Sequence, residues 1–280
     1  MTRIVITGAT GAIGQALAAV YARPGNQLIL HGRQRDVLET LADTCRGAGA
    51  EVELSQVELG QAELGQAEPG QFEQGQFKQN KDEALFGWLE SLCAPSVPDI
   101  VIVNAGMNIN IGEDGSGEHW EDASRLLEIN LRVPMAMGNF LGKRMRAAGR
   151  GQLVLMSSLA AYHGLPVTPS YSASKAGVKA YGEALRGWLA PYDVGVSVVM
   201  PGYVSSKMCH EMPGPKPFLW QPERAAKVIA RGIERNRARI SFPFPLNFGC
   251  WWLAVLPAAI SQRLLKWLGY DPDHGDGARR

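Results

Sequence analysis

Arg3-Ile4-Val5-Ile6-Thr7-Gly8-Ala9-Thr10-Gly11-Ala12-Ile13-Gly14 is the stretch whose reading decides the fold. An apolar, β-branched run that stops at a glycine has the pattern of a strand buried on both faces. Three glycines at intervals of three follow, and the chain then turns helical over 15–22. A glycine turn between strand and helix lets backbone approach a pyrophosphate and aims the free N–H groups of the helix at its charge. An ordinary tight βα loop is the plainer reading. In this context the glycine triad favours a dinucleotide, with Gly8, Thr10, Gly11, Ile13 and Gly14 as its contacts.

Outward from that start, strands and helices alternate. Residues 27–31 form a second strand closed by Gly32-Arg33, beside the position of the adenine ribose in a dinucleotide fold. The acid that would hold a 2′-hydroxyl is missing. Arg33, with Arg35 near, suits a 2′-phosphate, so NADP is favoured and NAD is the alternative. A helix over 36–48 and a strand over 51–57 follow. Residues 57–79 then repeat every five positions with a glycine in each full copy, a period that suits neither helix nor strand. They read as a mobile surface insertion, tolerated because loop closure costs little with length.

A helix over 82–93 leads to a strand over 99–103 that ends in Asn104-Ala105-Gly106, small residues that admit a cofactor ring. A long helix over 120–146 carries Asn130, a poor interior helix former that distorts its surroundings. A strand over 152–156 delivers Ser157 and Ser158 at its carboxyl end, where open parallel sheets bind ligands. The helix over 171–190, the strand over 194–200 and Pro201-Gly202 come next. Residues 203–220, rich in Met and Pro, read as a substrate lid. The helix over 223–235 and the strand over 239–242 complete one doubly wound α/β domain over 1–242. It has a mostly parallel seven-stranded sheet with helices on both faces.

Within that frame Tyr171 and Lys175 stand four apart on one helical face. A tyrosine of pKa about 10 is a weak base at neutral pH, and a fixed cation nearby favours its phenolate. Ser158, at a strand end, can hold a substrate oxygen beside that phenol. Tyr171 as a core aromatic and Lys175 as a solvated charge is the plainer reading of the pair alone. The surrounding βαβ pattern is what turns the balance.

The 280 residues are 46% hydrophobic and 20% charged, a globular composition. A net charge of +1 removes the electrostatic case for nucleic acid. Cys45, Cys93, Cys209 and Cys250 have neither metal-ligand spacing nor disulfide density, and read as free thiols of a cytoplasmic protein. The segment 243–280 is an apolar extension. Residues 240–262 carry no charge, but Pro243, Pro245 and Pro257 interrupt them, which argues against a transmembrane helix. A flap over the substrate, an oligomer interface or an amphipathic membrane anchor fit better. Lys266 and Trp267 lean toward the anchor, whereas apolar tails as a rule pack on protein.

Taken together, Thr7-Gly8 through Gly14, Asn104-Ala105-Gly106, Asn130, Ser158, Tyr171, Lys175 and Pro201-Gly202 resemble the short-chain dehydrogenase/reductase family. The thirteen-residue interval from Ser158 to Tyr171 also matches. The resemblance implies that Tyr171 is the general acid/base, Ser158 steadies the substrate oxygen, and Lys175 lowers the phenol pKa and binds the nicotinamide ribose. Asn130 holds a water of the proton relay; Asn104, Ala105 and Gly106 line the cofactor cleft. Pro201, Gly202 and Val204 border the nicotinamide, and Ser206 contacts phosphate or carboxamide. The implied activity is an NAD(P)-dependent ketone/secondary-alcohol interconversion on a small apolar molecule, in a homodimer or tetramer. Three positions depart from the family pattern. Ala12 replaces a glycine, leaving the Gly-x-x-Gly-x-x-Gly spacing of the branch that includes sugar-nucleotide epimerases and dehydratases. Val103 stands for an Asn, and Gln56 for an Asp near adenine. An epimerase or dehydratase with retained NAD, and a non-catalytic dinucleotide-binding scaffold, are the rival expectations.

Overall fold

Alternation of apolar side chains in β1 (Thr2–Thr7) separates the two cores of the protein. Ile4 and Ile6 point to one face of the sheet and Val5 to the other. A computed structural model describes residues 1–60, 76–94, 96–112 and 115–270, without the side chains of 76–82. Around β1 lie β2 (Asn26–His31), β3 (Glu51–Ser55), β4 (Ile100–Val103), β5 (Gln152–Met156), β6 (Gly195–Pro201) and β7 (Arg239–Phe242). The strand order is β3-β2-β1-β4-β5-β6-β7 and every pairing is parallel, where the sequence suggested a mostly parallel sheet.

Helices cover both faces, as a sheet of continuous apolar strands requires. On the Ile4 face pack α1 (Ala12–Tyr21), α2 (Arg35–Gly47) and α8 (Pro222–Glu234). On the Val5 face pack α3 (Gln76–Cys93), α5 (Val133–Ala148) and α6 (Pro169–Leu189). Their ends are written in the sequence. Proline opens α6 and α8 at positions that need no N–H. Gly149 closes α5 in the left-handed conformation, at φ 63°.

Three expectations change. The third strand stops at Ser55, two residues early. The 120–146 helix is two helices, α4 (Trp120–Leu127) and α5, joined by a π-helical turn over Glu128–Arg132 with Asn130 inside it. The repeats of 57–79 lie mostly outside the described residues. Their first copy is not a free surface insertion, because Leu59 is buried in the core and the Val57 carbonyl lies 2.6 Å from His31 Nε2. After β7 the apolar extension forms α9 (Leu246–Val255) and α10 (Ala258–Trp267). No helix among the described residues is long and apolar enough to cross a membrane.

The glycine turn has unequal members. Gly8 takes φ 63°, and a Cβ there would stand 2.8 Å from Ala105 Cα. At Gly14 a Cβ would collide with the Gly8 carbonyl and stand 2.8 Å from Ala9 Cα, all of it backbone. Gly11 has φ −77° and would meet only the Gly8 oxygen, at 3.4 Å. Gly14→Ala is therefore expected to destabilise the chain by about 1–3 kcal/mol through forced backbone shifts. Gly11→Ala should stay within about 0.5 kcal/mol. Urea denaturation of the two variants checks the contrast.

Candidate active site

The strand order reverses between β1 and β4, and the crevice at their carboxyl ends is where a doubly wound sheet takes its ligand. The crevice is fixed by polar stitching. Thr7 Oγ1, fully buried, accepts hydrogen bonds from the Asn104 and Ala105 amides at 2.9 and 3.1 Å. The Asn104 side chain answers by donating to the Thr7 and Gly8 carbonyls at 3.1 and 3.0 Å. Two strand ends are thus locked together, and the glycine turn is held against Ala105.

One loop further on, Asn130 clamps the chain after β4. Its Oδ1 accepts from the Met107 amide and its Nδ2 donates to the Met107 carbonyl, both at 2.8 Å. Nδ2 also reaches Ser174 Oγ at 3.3 Å, and Ser174 Oγ donates to the Tyr171 carbonyl at 2.7 Å. The side chain is fully buried, so it acts as a brace, and any water it holds must be met by its main chain in the π turn.

The structure brings Ser158, Tyr171 and Lys175 together at the end of β5. Ser157 Oγ donates to the Lys175 carbonyl at 2.8 Å, and Lys175 Nζ donates to the Met156 carbonyl at 3.1 Å. These bonds sew α6 to the strand end that carries Ser158. Ser158 also caps a short 3₁₀ turn, accepting from the Ala160 amide at 3.2 Å. Lys175 Nζ stands 5.6 Å from the centre of the Tyr171 ring. A Cβ on Gly106 would lie 3.1 Å from Asn130 Oδ1 and 3.5 Å from Lys175 Nζ, so a side chain there would press on the Asn130 brace.

The electrostatics differ from the expected simple pairing. Burial pushes the Tyr171 phenol above its ordinary value, and the hydrogen bond from Ser158 pulls it partly back. Lys175 is not the group that lowers it here. Its own ammonium is buried and pushed down to about 8, and its proton is directed at a strand carbonyl.

The remaining candidates line the same cleft, a cavity of about 2130 Å³ that runs from Arg33 past Ser158 and Tyr171 to α9 and α10, except the expected contact Gly14, which is buried against Gly8 and Ala9 behind the turn. Thr10, Ile13 and Arg33 border one part of it. Arg33 is exposed and makes no ion pair among the described residues, whereas Arg35 is bound to Glu39 at 2.8 Å and does not reach toward a ligand. Pro201, Gly202, Val204 and Ser206 border another part. Ser206 Oγ is engaged as the cap of α7 (Lys207–Glu211), accepting from the Cys209 amide at 3.1 Å.

The 203–220 segment is tied at its root, where Ser205 donates to the Trp220 carbonyl and Trp220 to that of Tyr203. A further tie escaped the sequence reading. Tyr203 Oη and Tyr270 Oη lie 2.7 Å apart, and Tyr270 Oη donates to the Pro215 carbonyl at 2.9 Å. The end of the apolar extension thereby latches onto this segment. Nothing local in the sequence marks Tyr270 as its partner 67 positions away.

A family model described as short chain dehydrogenase matches residues 95–215. An uncharacterized oxidoreductase of Mycobacterium tuberculosis is 30% identical over 93% of this chain and 96% of its own. An 11-beta-hydroxysteroid dehydrogenase-like protein of Arabidopsis thaliana is 32% identical over 90% of this chain and 75% of its own. Among solved structures, a short-chain dehydrogenase from Sphingobium yanoikuyae in complex with NADPH superposes with a TM-score of 0.74, covering all of both chains at 22% identity. A bulky-bulky ketone specific alcohol dehydrogenase from Comamonas testosteroni superposes with a TM-score of 0.72 at 20% identity, covering 95% of this chain and 94% of its own. The chain belongs to the short-chain dehydrogenase/reductase family. It is an oxidoreductase of that family.

The lowered Lys175 pKa has a stability consequence. Below about pH 8 folded and unfolded chains both hold the proton, and the fold bears the full cost of burying it. Between about pH 8 and the ordinary 10.5 the unfolded chain binds more protons, so stability rises with pH. The shift corresponds to a cost on the order of 3 kcal/mol. Lys175→Met removes that cost but strands the Met156 carbonyl, so the cofactor-free chain should gain about 1–2 kcal/mol at pH 7. Its stability should also lose the rise between pH 8 and 10. Chemical denaturation across that range reads both effects.

Proposed function

We propose that the protein is an NADP-preferring reductase or dehydrogenase that interconverts a ketone and a secondary alcohol on an apolar substrate. The observation that carries this reading is the convergence of Ser158, Tyr171 and Lys175 beside Gly106 on one cleft wall. The residues fit a dinucleotide. Gly11 caps α1 without a side chain, so no side-chain oxygen occupies the helix N-terminus where a pyrophosphate would sit. Gly8 and Gly11 would take the phosphates, with Gly14 packing the turn from behind, Asn104 to Gly106 the ring, and Pro201, Gly202 and Val204 the nicotinamide edge. Bound there, the cofactor would supply or accept the hydride.

The protein's own part is the proton and the position. In reduction Ser158 Oγ holds the carbonyl oxygen and Tyr171 Oη delivers a proton to it. With a dinucleotide bound, Lys175 would hold the ribose, and a water on the main chain of Asn130 would replenish the proton. Because burial raises the phenol, Tyr171 stays protonated at neutral pH and is poised as an acid. Ketone reduction should therefore run well at pH 6–8, while alcohol oxidation, which needs the phenolate, should keep climbing with pH past the ordinary tyrosine value of about 10. Tyr171→Phe should lower turnover by about 10²–10⁴-fold. NADPH binding, read by quenching of protein fluorescence, should change less than about threefold. Loss of binding together with turnover would contradict the assigned role.

Support for the cofactor comes from Arg33, an exposed cation with no ion pair among the described residues, where a 2′-phosphate would lie. The Sphingobium protein of like fold holds NADPH. Arg33→Ala should raise the KM for NADPH about tenfold, or about 1.4 kcal/mol, and leave that for NADH unchanged. Equal effects on both would remove the NADP preference. Support for an apolar substrate comes from Leu159, Leu165, Met208, Met212, Leu253 and Leu265 on the cleft wall. The hydroxysteroid dehydrogenase-like relative from Arabidopsis thaliana points the same way.

A further inference from the structure

Helix α9 is apolar on every side, yet nothing in the described chain covers its outer face. Leu246, Gly249, Cys250 and Leu253 line the cleft. Phe248, Trp251, Trp252 and Val255 form the opposite stripe at i, i+3, i+4 and i+7, and all four are exposed. The three aromatic rings touch one another, at centroid distances of 5.6 to 6.2 Å. Helix α10 adds Ile260, Leu264, Trp267 and Leu268 as a second exposed stripe, with Trp267 81% exposed, while Ser261 and Leu265 face inward. A helix apolar all round is ordinarily covered, and an apolar patch this continuous marks an interaction surface.

The charge around the patch selects the occupant. No Asp or Glu occurs between Glu234 and Asp271, and the exposed Arg263 sits on α10 beside its exposed stripe. A second copy docked through a two-fold axis would bring this patch against itself, cation toward cation, with no carboxylate from these helices to pair them. An anionic lipid surface offers Arg263 the opposite charge. Exposed tryptophans suit it as well, since the indole prefers the boundary between headgroup and hydrocarbon. At ten residues each, α9 and α10 are about 15 Å long and separated by Pro257, too short to span but long enough to lie in the interface plane.

We propose that α9 and α10 dock the protein on an anionic bilayer surface, with their outer stripes in the lipid interface. Leu264, Trp267 and Leu268 belong both to the exposed stripe and to the cleft wall. Docking therefore sets the cleft mouth against the lipid, and an apolar substrate enters without crossing water. This last point rests on the apolar-substrate reading; the docking itself does not.

The test is co-sedimentation of the full chain with sucrose-loaded vesicles of phosphatidylcholine alone or with about one third phosphatidylglycerol. In parallel, NADPH-dependent turnover of a water-soluble ketone and the solution mass are measured. The wild type should sediment with the anionic vesicles and more weakly with the neutral ones. The double variant Phe248→Ser/Trp252→Ser should bind about tenfold less or weaker, and Arg263→Glu should lose the preference for anionic lipid. Both variants should keep their turnover and their circular dichroism, since none of these side chains lines the cleft. Wild type remaining in the supernatant, or variants sedimenting equally, would overturn the proposal. So would a wild-type dimer that ignores vesicles and that the double variant converts to monomer. Vesicle binding without turnover would count against the oxidoreductase reading and leave the docking standing.

Discussion

Two short hydrogen-bonded links between the end of β5 and helix α6 carry the site: the Ser157 hydroxyl on the Lys175 carbonyl, and the Lys175 amine on the Met156 carbonyl. A strand end and a helix start are otherwise free to slide by an ångström, a displacement that catalysis tolerates poorly. Sewn at both the side chain and the backbone of one residue, they hold Tyr171 at a fixed distance from Ser158. The brace from Asn130 through Ser174 to the Tyr171 carbonyl extends the same lattice to the loop after β4. Thr7 and Asn104 extend it to β1. Thr7, Asn130, Ser157, Ser174 and Lys175 are buried, in low dielectric, where such bonds are strong when made and costly when missing.

That burial explains why Lys175 behaves differently from a surface lysine beside a tyrosine. In water a cation one helical turn away would pull the phenol down. Enclosed, both groups resist their charged forms, the phenol rising and the ammonium falling. The site without cofactor is thus electrically quiet. A phosphate-bearing ligand beside it would change the balance by giving the ammonium an anion to face.

Much of this was legible in the sequence, for identifiable reasons. Buried parallel strands are continuous apolar runs, so β1, β2, β4, β5 and β6 could be read within a residue or two. Ser158, Tyr171 and Lys175 were legible because local spacing places all three on one strand end and one helix. The π turn was legible as a distortion at Asn130, but its geometry was not. A bulge of one residue leaves no periodic trace, and the side chain's grip on Met107 is a contact between separate elements. Gly11 misled in a different way. Its spacing evokes the epimerase branch, yet its φ of −77° is one any residue adopts, so the position constrains the backbone far less than Gly8 or Gly14. Roles that depend on distant partners, such as Ser206 spent on a helix cap and Arg35 on Glu39, emerge only once the chain has folded.

The contact of Tyr203 and Pro215 with Tyr270 bears on how the enzyme is made. The sheet is complete at Phe242, but the cavity gains its outer wall only when the chain has been extended by almost thirty further residues. A nascent chain on the ribosome would hold its phenol and glycine turn in place while the pocket still gaped. Competence would then arrive in a single late event, once Tyr270 has docked, and not gradually as the strands assemble.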